Sequence, residues 1–148
     1  MFTYDIQTNI EIESSAAQIW QVLTDFDSYS EWNPMLANVH TQLERNTTVR
    51  FGVLRDDANP LKLKARITTL RTAEELVWRG GAAGVISGEH YFRIEQLNER
   101  HCRFHHGEHF KGLLLPLVKP LLKRAPSLYE AMNSALKERV EGPGPEHQ

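Results

Sequence analysis

Cysteine is nearly absent from this sequence, and long apolar runs are absent altogether. Cys102 is the single cysteine among 148 residues, so an internal disulfide is excluded and a reducing compartment is expected. The longest apolar stretch, residues 113–122, is interrupted by prolines and a lysine, whereas a membrane span needs about 20 apolar residues. The first residues lack the basic and apolar segments of a signal peptide. The single cysteine and the lack of a membrane span and a signal peptide predict a cytoplasmic protein without stable membrane insertion.

Net charge is also small, and two common catalytic signatures are missing. The formal net charge is -2 and the isoelectric point is near 6.4, whereas nucleic-acid binding favours a basic stripe. No glycine-rich phosphate loop precedes a helix, and no serine lies in a nucleophile elbow. We therefore expect no nucleic-acid partner.

The amino-acid composition is that of one globular domain. With 41% hydrophobic and 24% charged residues, a chain of this length can bury one sizeable core. We assign residues 1–141 to this domain. Residues 142–148 are rich in glycine and proline and have no apolar anchor, so they are expected to form a disordered tail.

The first 34 residues predict a strand followed by two short helices. Residues 4–12 alternate between apolar and polar side chains, which is typical of a half-buried strand. Ser14 or Ser15 can cap the next helix, with Gln18 as the capping-box partner of Ser15. Residues 28–32 add one more helical turn, and Pro34 ends it by restricting the residue before it.

The rest of the chain predicts a meander of strands and a C-terminal helix. Period-two alternation marks six further segments, at residues 39–43, 49–54, 61–68, 76–80, 86–94 and 102–110. Their short connections favour antiparallel pairing. Helical periodicity then extends from Leu117 through Leu121 to Val140. We favour one long helix kinked at Pro126; the alternative is a short helix or loop before Pro126 and a separate helix from about Ser127.

Four segments of this chain resemble the START-like (SRPBCC, helix-grip) superfamily: residues 20–34, 76–80, 108–112 and 133–137. Within it, the chain is most similar to the polyketide cyclase/dehydrase and lipid transport family. The resemblance implies an α+β helix-grip fold. In that fold a seven-stranded curved antiparallel sheet wraps around a long C-terminal helix, and two short helices lie between strands 1 and 2. It also implies a hydrophobic small molecule held between sheet and helix.

A curved sheet that grips a helix can leave a cavity lined by inward-facing side chains. Apolar pockets with a few polar groups are typical small-molecule sites. The alternative is that the same side chains meet and form a solid core. The candidate ligand-binding residues are Trp32, Pro34, Phe51, Ile67, Trp78, His90, Phe92, His106, Glu108 and Met132.

The polar residues that best fit a functional site are His90, His106 and Glu108. A hairpin around residues 98–100 places His90 opposite Glu108 and Phe92 opposite His106, on the face that also carries the inward aromatic residues. Opposed residues have Cβ atoms about 4.5–5.5 Å apart, within reach of a His–Glu hydrogen bond. The set could brace the strands, bind a ligand or act as general acid and base.

The other histidines do not predict a metal site. His101, His105 and His109 share the outer face of their strand but spread over roughly 26 Å at about 3.3 Å per residue, and His106 points to the opposite face. Cys102 lacks an orienting histidine and acid, so a nucleophilic role is not expected.

Three functions are therefore compatible with the sequence. The leading hypothesis is a non-enzymatic binding protein for a hydrophobic or aromatic small molecule, without cofactor or metal. The second is a cyclase or dehydratase acting on a polyketide-like substrate, with His90, His106 and Glu108 as acid–base groups. The third is a chaperone-activator-like module that binds a partner through the outer sheet surface. The chain could also form a homodimer.

Overall fold

One antiparallel sheet of seven strands organises the computed structural model, which describes residues 1–56 and 58–142. The spatial order of its strands is β1-β7-β6-β5-β4-β3-β2. Their bounds are β1 (Phe2–Ile12), β2 (Leu36–His40), β3 (Thr48–Arg55), β4 (Ala58–Arg71), β5 (Glu75–Ala82), β6 (Ile86–Gln96) and β7 (Cys102–Gly112). The helices are α1 (Ala16–Thr24), a 3-10 helix (Phe26–Glu31), α2 (Leu115–Leu122) and α3 (Pro126–Glu141). The tail predicted from Gly142 onward lies, at residues 143–148, outside the described residues.

The predicted start of α1 is confirmed, with one difference in its cap. The Ser15 hydroxyl accepts the backbone N–H of Gln18, as expected for an N-cap. The Gln18 side chain, however, accepts the Ser14 hydroxyl at 2.8 Å. The two serines therefore divide the capping roles between them.

Strand β2 begins earlier in the chain, nearer to Pro34, than the alternation predicted. The side-chain carbonyl of Asn33 accepts the backbone N–H groups of Met35 and Leu36, both at 2.9 Å, and this turn starts the strand at Leu36. Asn38 then adopts a left-handed φ of 52° where the pairing with β3 shifts register. This bulge breaks the period-two pattern, so the prediction of residues 39–43 was displaced.

The C-terminal segment forms two helices, so the favoured kinked long helix is wrong and the alternative is confirmed. The chain turns at residues 123–125, and Pro126 then occupies the first helical position of α3, where its missing N–H costs nothing. α3 packs against β1, α1 and β7 and is the helix that the sheet grips. Met132 and Leu136 are fully buried, while Leu128 is half-buried.

Helix α2 presents a different face from the one the periodicity suggested. Leu115 is buried, whereas Leu117 is 76% exposed and Leu121 is 68% exposed. The apolar period that runs from Leu117 into α3 therefore does not belong to one continuous buried stripe.

Candidate functional site

A cavity of about 360 Å³ lies between the sheet and the segment that joins α2 to α3. That volume is within the roughly 300–1,000 Å³ typical of small-molecule sites. Phe51 and Trp78 form an aromatic wall, with ring centroids 5.2 Å apart. The apolar part of the lining comprises Met35, Phe51, Val53, Leu61, Leu63, Ala65, Trp78, Ile86, Phe110, Leu122, Ala125 and Leu128.

The polar end of the cavity is formed by Glu108, His90 and Tyr129. The Tyr129 hydroxyl donates to Glu108 Oε1 at 2.6 Å, and the same oxygen lies 3.4 Å from His90 Nδ1. Burial, and next the negative charge of Glu108, raise the pKa of Tyr129, so its hydroxyl remains a donor. Gly88 makes room for this cluster, because a Cβ at that position would collide with Glu108 Oε2.

Behind this cluster, a buried hydrogen-bond network fixes the direction of each donor. The Thr8 hydroxyl donates to the His106 carbonyl at 2.6 Å and therefore accepts from Asn133 Nδ2 at 2.8 Å. Asn133 Oδ1 then faces His106 Nδ1 at 2.9 Å, which makes Nδ1 the protonated ring nitrogen of His106. Burial, and next the proximity of His90, hold the pKa of His106 well below its usual range. His106 is therefore neutral, with a free lone pair on Nε2.

The network continues through His90 to Glu108. His90 Nε2 lies 2.7 Å from the His106 Nε2 lone pair, so His90 Nε2 carries a hydrogen. His90 Nδ1 lies 3.4 Å from Glu108 Oε1. His90 therefore connects the buried His106 to the carboxyl group on the cavity wall.

The buried His106 gives a pH-dependent stability with a definite sign. The pKa of His106 is lowered in the folded state. Below about pH 6.5 its imidazole therefore binds a proton in the unfolded chain but not in the folded protein. The free energy of unfolding should therefore fall, by up to about 1.4 kcal/mol per pH unit, as pH drops below about 6.5. Urea denaturation at a series of pH values should show a shallower slope for His106→Gln, and no change for the exposed His40→Gln. Identical slopes for wild type and His106→Gln would contradict this origin.

The structure divides the candidate residues into three groups. Phe51, Trp78, His90 and Glu108 lie on the cavity wall. A second set is fully buried behind that wall and does not line it: Ile67, Phe92, His106 and Met132.

Trp32 and Pro34, the third group, lie at the corner after the 3-10 helix and do not line this cavity, although the adjacent Met35 does. Trp32 packs edge-on against Tyr29, with ring centroids 5.2 Å apart. This contact is typical of a side chain that packs against the core at a turn.

The sequence analysis missed Tyr129, Asn133 and Thr8 as members of the polar cluster. Tyr129 and Asn133 lie one helical turn apart on α3, a spacing that places both on one face. That spacing was a usable signal, but it does not reveal which strand residues they meet.

Trp78 contributes its ring to the cavity wall, while its Nε1–H is buried. The side chain is only 2% exposed, and within residues 1–56 and 58–142 its Nε1–H has no hydrogen-bond acceptor. A buried polar group without a partner lowers stability.

The described part of the chain has neither a metal-ligand cluster nor a membrane-spanning helix. No group of three or more His, Cys, Asp and Glu side chains there could hold a metal ion. His105 bonds to Glu95 and His109 to Asp5, so each meets a separate acid. None of the described helices is long and apolar enough to cross a membrane.

Comparison with known proteins agrees with this architecture. The sheet and the gripped helix define a helix-grip fold of the START-like superfamily. The chain belongs to the polyketide cyclase/dehydrase and lipid transport family, whose model matches residues 3–141. A search of curated proteins found no match.

Three solved structures illustrate the shared fold. An aromatase/cyclase from a Streptomyces species has a TM-score of 0.75 at 16% identity, covering 95% of this chain and 94% of that one. Norcoclaurine synthase from Thalictrum flavum, in complex with dopamine and hydroxybenzaldehyde, has a TM-score of 0.70 at 15% identity, covering 99% and 89%. A START superfamily protein from Mycobacterium smegmatis has a TM-score of 0.70 at 19% identity, covering 93% and 97%.

Proposed function

We propose that this protein binds a hydrophobic or aromatic small molecule in the cavity between its sheet and its C-terminal helices. The observation that carries this proposal is the cavity itself, which has a mainly aromatic and aliphatic wall and only a few polar groups. Burial of apolar surface supplies about 25 cal/mol per Å², so such a wall favours an apolar ligand. Phe51, Trp78, His90 and Glu108 are the proposed contacts from the sheet, and Tyr129 is the proposed contact from α3.

The polar groups suggest what else the ligand carries. Glu108, Tyr129 and His90 offer oxygen and ring-nitrogen atoms for hydrogen bonds at the cavity wall. A mainly apolar molecule with one hydroxyl, carbonyl or amine group matches this arrangement. The relatives support the aromatic part, since one is an aromatase/cyclase and another was solved with dopamine and hydroxybenzaldehyde.

The first test is a titration with N-phenyl-1-naphthylamine, an apolar aromatic probe whose fluorescence rises on leaving water. We expect micromolar affinity and full competition by a long-chain fatty acid or a polycyclic phenol. Failure of the probe and of every apolar competitor to bind would overturn the proposal.

Glu108→Gln distinguishes a bracing role of the polar cluster from ligand recognition. We expect a stability loss of about 1–3 kcal/mol, because the Tyr129 hydroxyl loses its carboxylate acceptor. Affinity for the apolar probe should change little. Tyr129→Phe removes the same hydrogen bond from the other side and is the matched variant, measured by urea denaturation and probe titration. A tenfold weaker affinity with unchanged stability would instead assign Glu108 to the ligand.

A second candidate function is acid–base catalysis on a polyketide-like substrate. The proximity of His90 and Glu108 at the cavity wall favours it, because ring closure by such enzymes begins with proton removal beside a carbonyl. Exchange of the acidic carbon protons of 2-tetralone into deuterated water would report this activity. Catalysis requires faster exchange with wild type than with Glu108→Gln, and equal rates would exclude it.

We also propose a cytoplasmic location and leave a partner-binding role open to test. A cytoplasmic location fits the buried, unpaired Cys102, whose thiol pKa is raised by burial. A chaperone-activator-like role would use the outer sheet surface and would survive filling of the cavity. Homodimerisation and the lack of a nucleic-acid partner remain predictions.

A further inference from the structure

A patch of exposed aliphatic side chains covers the outside of α2 and the turn beside it. Leu113, Leu114, Leu117 and Leu121 are 65%, 45%, 76% and 68% exposed, and Val85 is 46% exposed. The turn and the helix are tied together, because the N–H groups of Leu113 and Leu114 donate to the carbonyls of Gly84 and Val85. Leu117 and Leu121 lie one turn apart on α2, and we call these five residues the α2 patch. Single exposed leucines are ordinary, but a contiguous apolar patch marks an interaction surface.

The charge around the α2 patch is of one sign. Residues 109–129 contain Lys111, Lys119, Lys123 and Arg124 and no aspartate or glutamate. The two strand segments that line the cavity, residues 58–66 and 79–88, likewise carry lysine and arginine and no aspartate or glutamate.

We infer that the α2 patch docks on an anionic phospholipid surface. Exposed leucines would enter the boundary between headgroups and acyl chains, and the flanking lysines and arginine would meet the lipid phosphates, as in interfacial amphipathic helices. The helix has eight residues and lies on such a surface rather than crossing it.

Two other occupants fit the patch less well. A second copy related by two-fold symmetry would bring Lys119, Lys123 and Arg124 against the same groups of its partner, with no acid on either segment to neutralise them. A protein partner is disfavoured because lysine is depleted in protein interfaces, and three lysines surround this patch.

The position of the patch connects docking with the cavity. Leu122, at the end of α2, and Ala125 line the cavity, and so do Leu61 and Leu63, which are 45% and 43% exposed on β4. The mouth is therefore adjacent to the proposed membrane-facing surface. Docking would let an apolar molecule pass between cavity and bilayer with little exposure to water. The docking itself does not depend on the proposed ligand function.

Vesicle flotation of the full chain tests the inference. The vesicles are phosphatidylcholine alone, or phosphatidylcholine with about a third phosphatidylserine. We expect wild type to bind the anionic vesicles at least about tenfold more tightly, and to be released by about 1 M salt. Leu117→Asp/Leu121→Asp and Lys123→Glu/Arg124→Glu should each weaken that binding by at least about tenfold.

The matched controls lie in the β6–β7 turn, at the far end of the strands. Leu97 is 39% exposed and Arg100 is exposed, so Leu97→Asp and Arg100→Glu introduce the same kinds of change outside the patch, one residue at a time, and should bind like wild type. Circular dichroism confirms that each variant is folded. Three results would overturn the inference: no binding of wild type to anionic vesicles, equal binding of patch and control variants, or sedimentation showing that the patch variants only dissociate a dimer.

Discussion

Ala65→Phe is expected to weaken binding of N-phenyl-1-naphthylamine by about tenfold to a hundredfold, the equivalent of the roughly 1–3 kcal/mol that overpacking costs. Ala65 is 7% exposed, lines the cavity and lies opposite Gly80 on β5. A phenyl ring there would project into the space that the two small residues leave open. A micromolar site weakened to this extent would no longer be detected at ordinary probe concentrations. Fluorescence titration measures the effect.

The neighbouring Arg66→Phe is the matched control for this substitution. Arg66 is exposed and lies on the opposite side of the strand from Ala65, so its replacement adds the same ring outside the cavity. We expect unchanged affinity for Arg66→Phe and unchanged far-UV circular dichroism for both variants. Binding by Ala65→Phe as tight as that of wild type would place the site elsewhere.

Leu136→Ala is expected to lower the free energy of unfolding by about 2–5 kcal/mol, the usual cost of a large-to-small change in a packed core. Leu136 is fully buried in α3, the helix that the sheet surrounds. Removal of its side chain loses apolar burial and leaves a cavity that the surrounding strands cannot close. Urea denaturation, fitted with one m-value for wild type and variant, measures the loss.

Leu117→Ala provides the comparison, because Leu117 is 76% exposed on α2. Its replacement should change stability by less than about 0.5 kcal/mol, as surface substitutions usually do. A loss below half of one kcal/mol for Leu136→Ala, in the range expected for Leu117→Ala, would show that α3 does not pack against the sheet in this way.

Features set by local patterns could be predicted from the sequence. The hairpin between β6 and β7 is the clearest example, since the turn near Asn98 and the alternation of both strands predicted His90 opposite Glu108 and Phe92 opposite His106, as observed. Parity fixes the face of every residue once one pair is known. The N-cap at Ser15 was predictable for the same reason, because a cap acts over three residues.

Features that depend on distant partners could not be predicted. Tyr129 meets Glu108 across 21 residues of sequence, and Asn133 meets Thr8 across 125. Such contacts depend on how α3 lies in the sheet, which periodicity does not encode. The size of the cavity likewise depends on the space left between packed elements, so side-chain patterns could indicate its lining but not its volume.

The break at Pro126 shows a third limit. A proline within an apolar periodic stretch is compatible with a kink and with the start of a new helix. Leu117 and Leu121 follow the spacing of the buried residues of α3. They are nevertheless exposed, because the turn at residues 123–125 separates the two helices and the face of α2 that carries them points outward.

Native mass spectrometry of wild type and Ala65→Phe, incubated together with an organic extract of host cells, tests most directly whether the cavity holds an apolar molecule. The two proteins differ in mass, so each reports its own occupancy in the same tube. We expect wild type to gain the mass of a small apolar molecule that organic extraction releases, and Ala65→Phe to remain unliganded. Equal uptake by both proteins, or no uptake by wild type, would contradict ligand binding in this cavity.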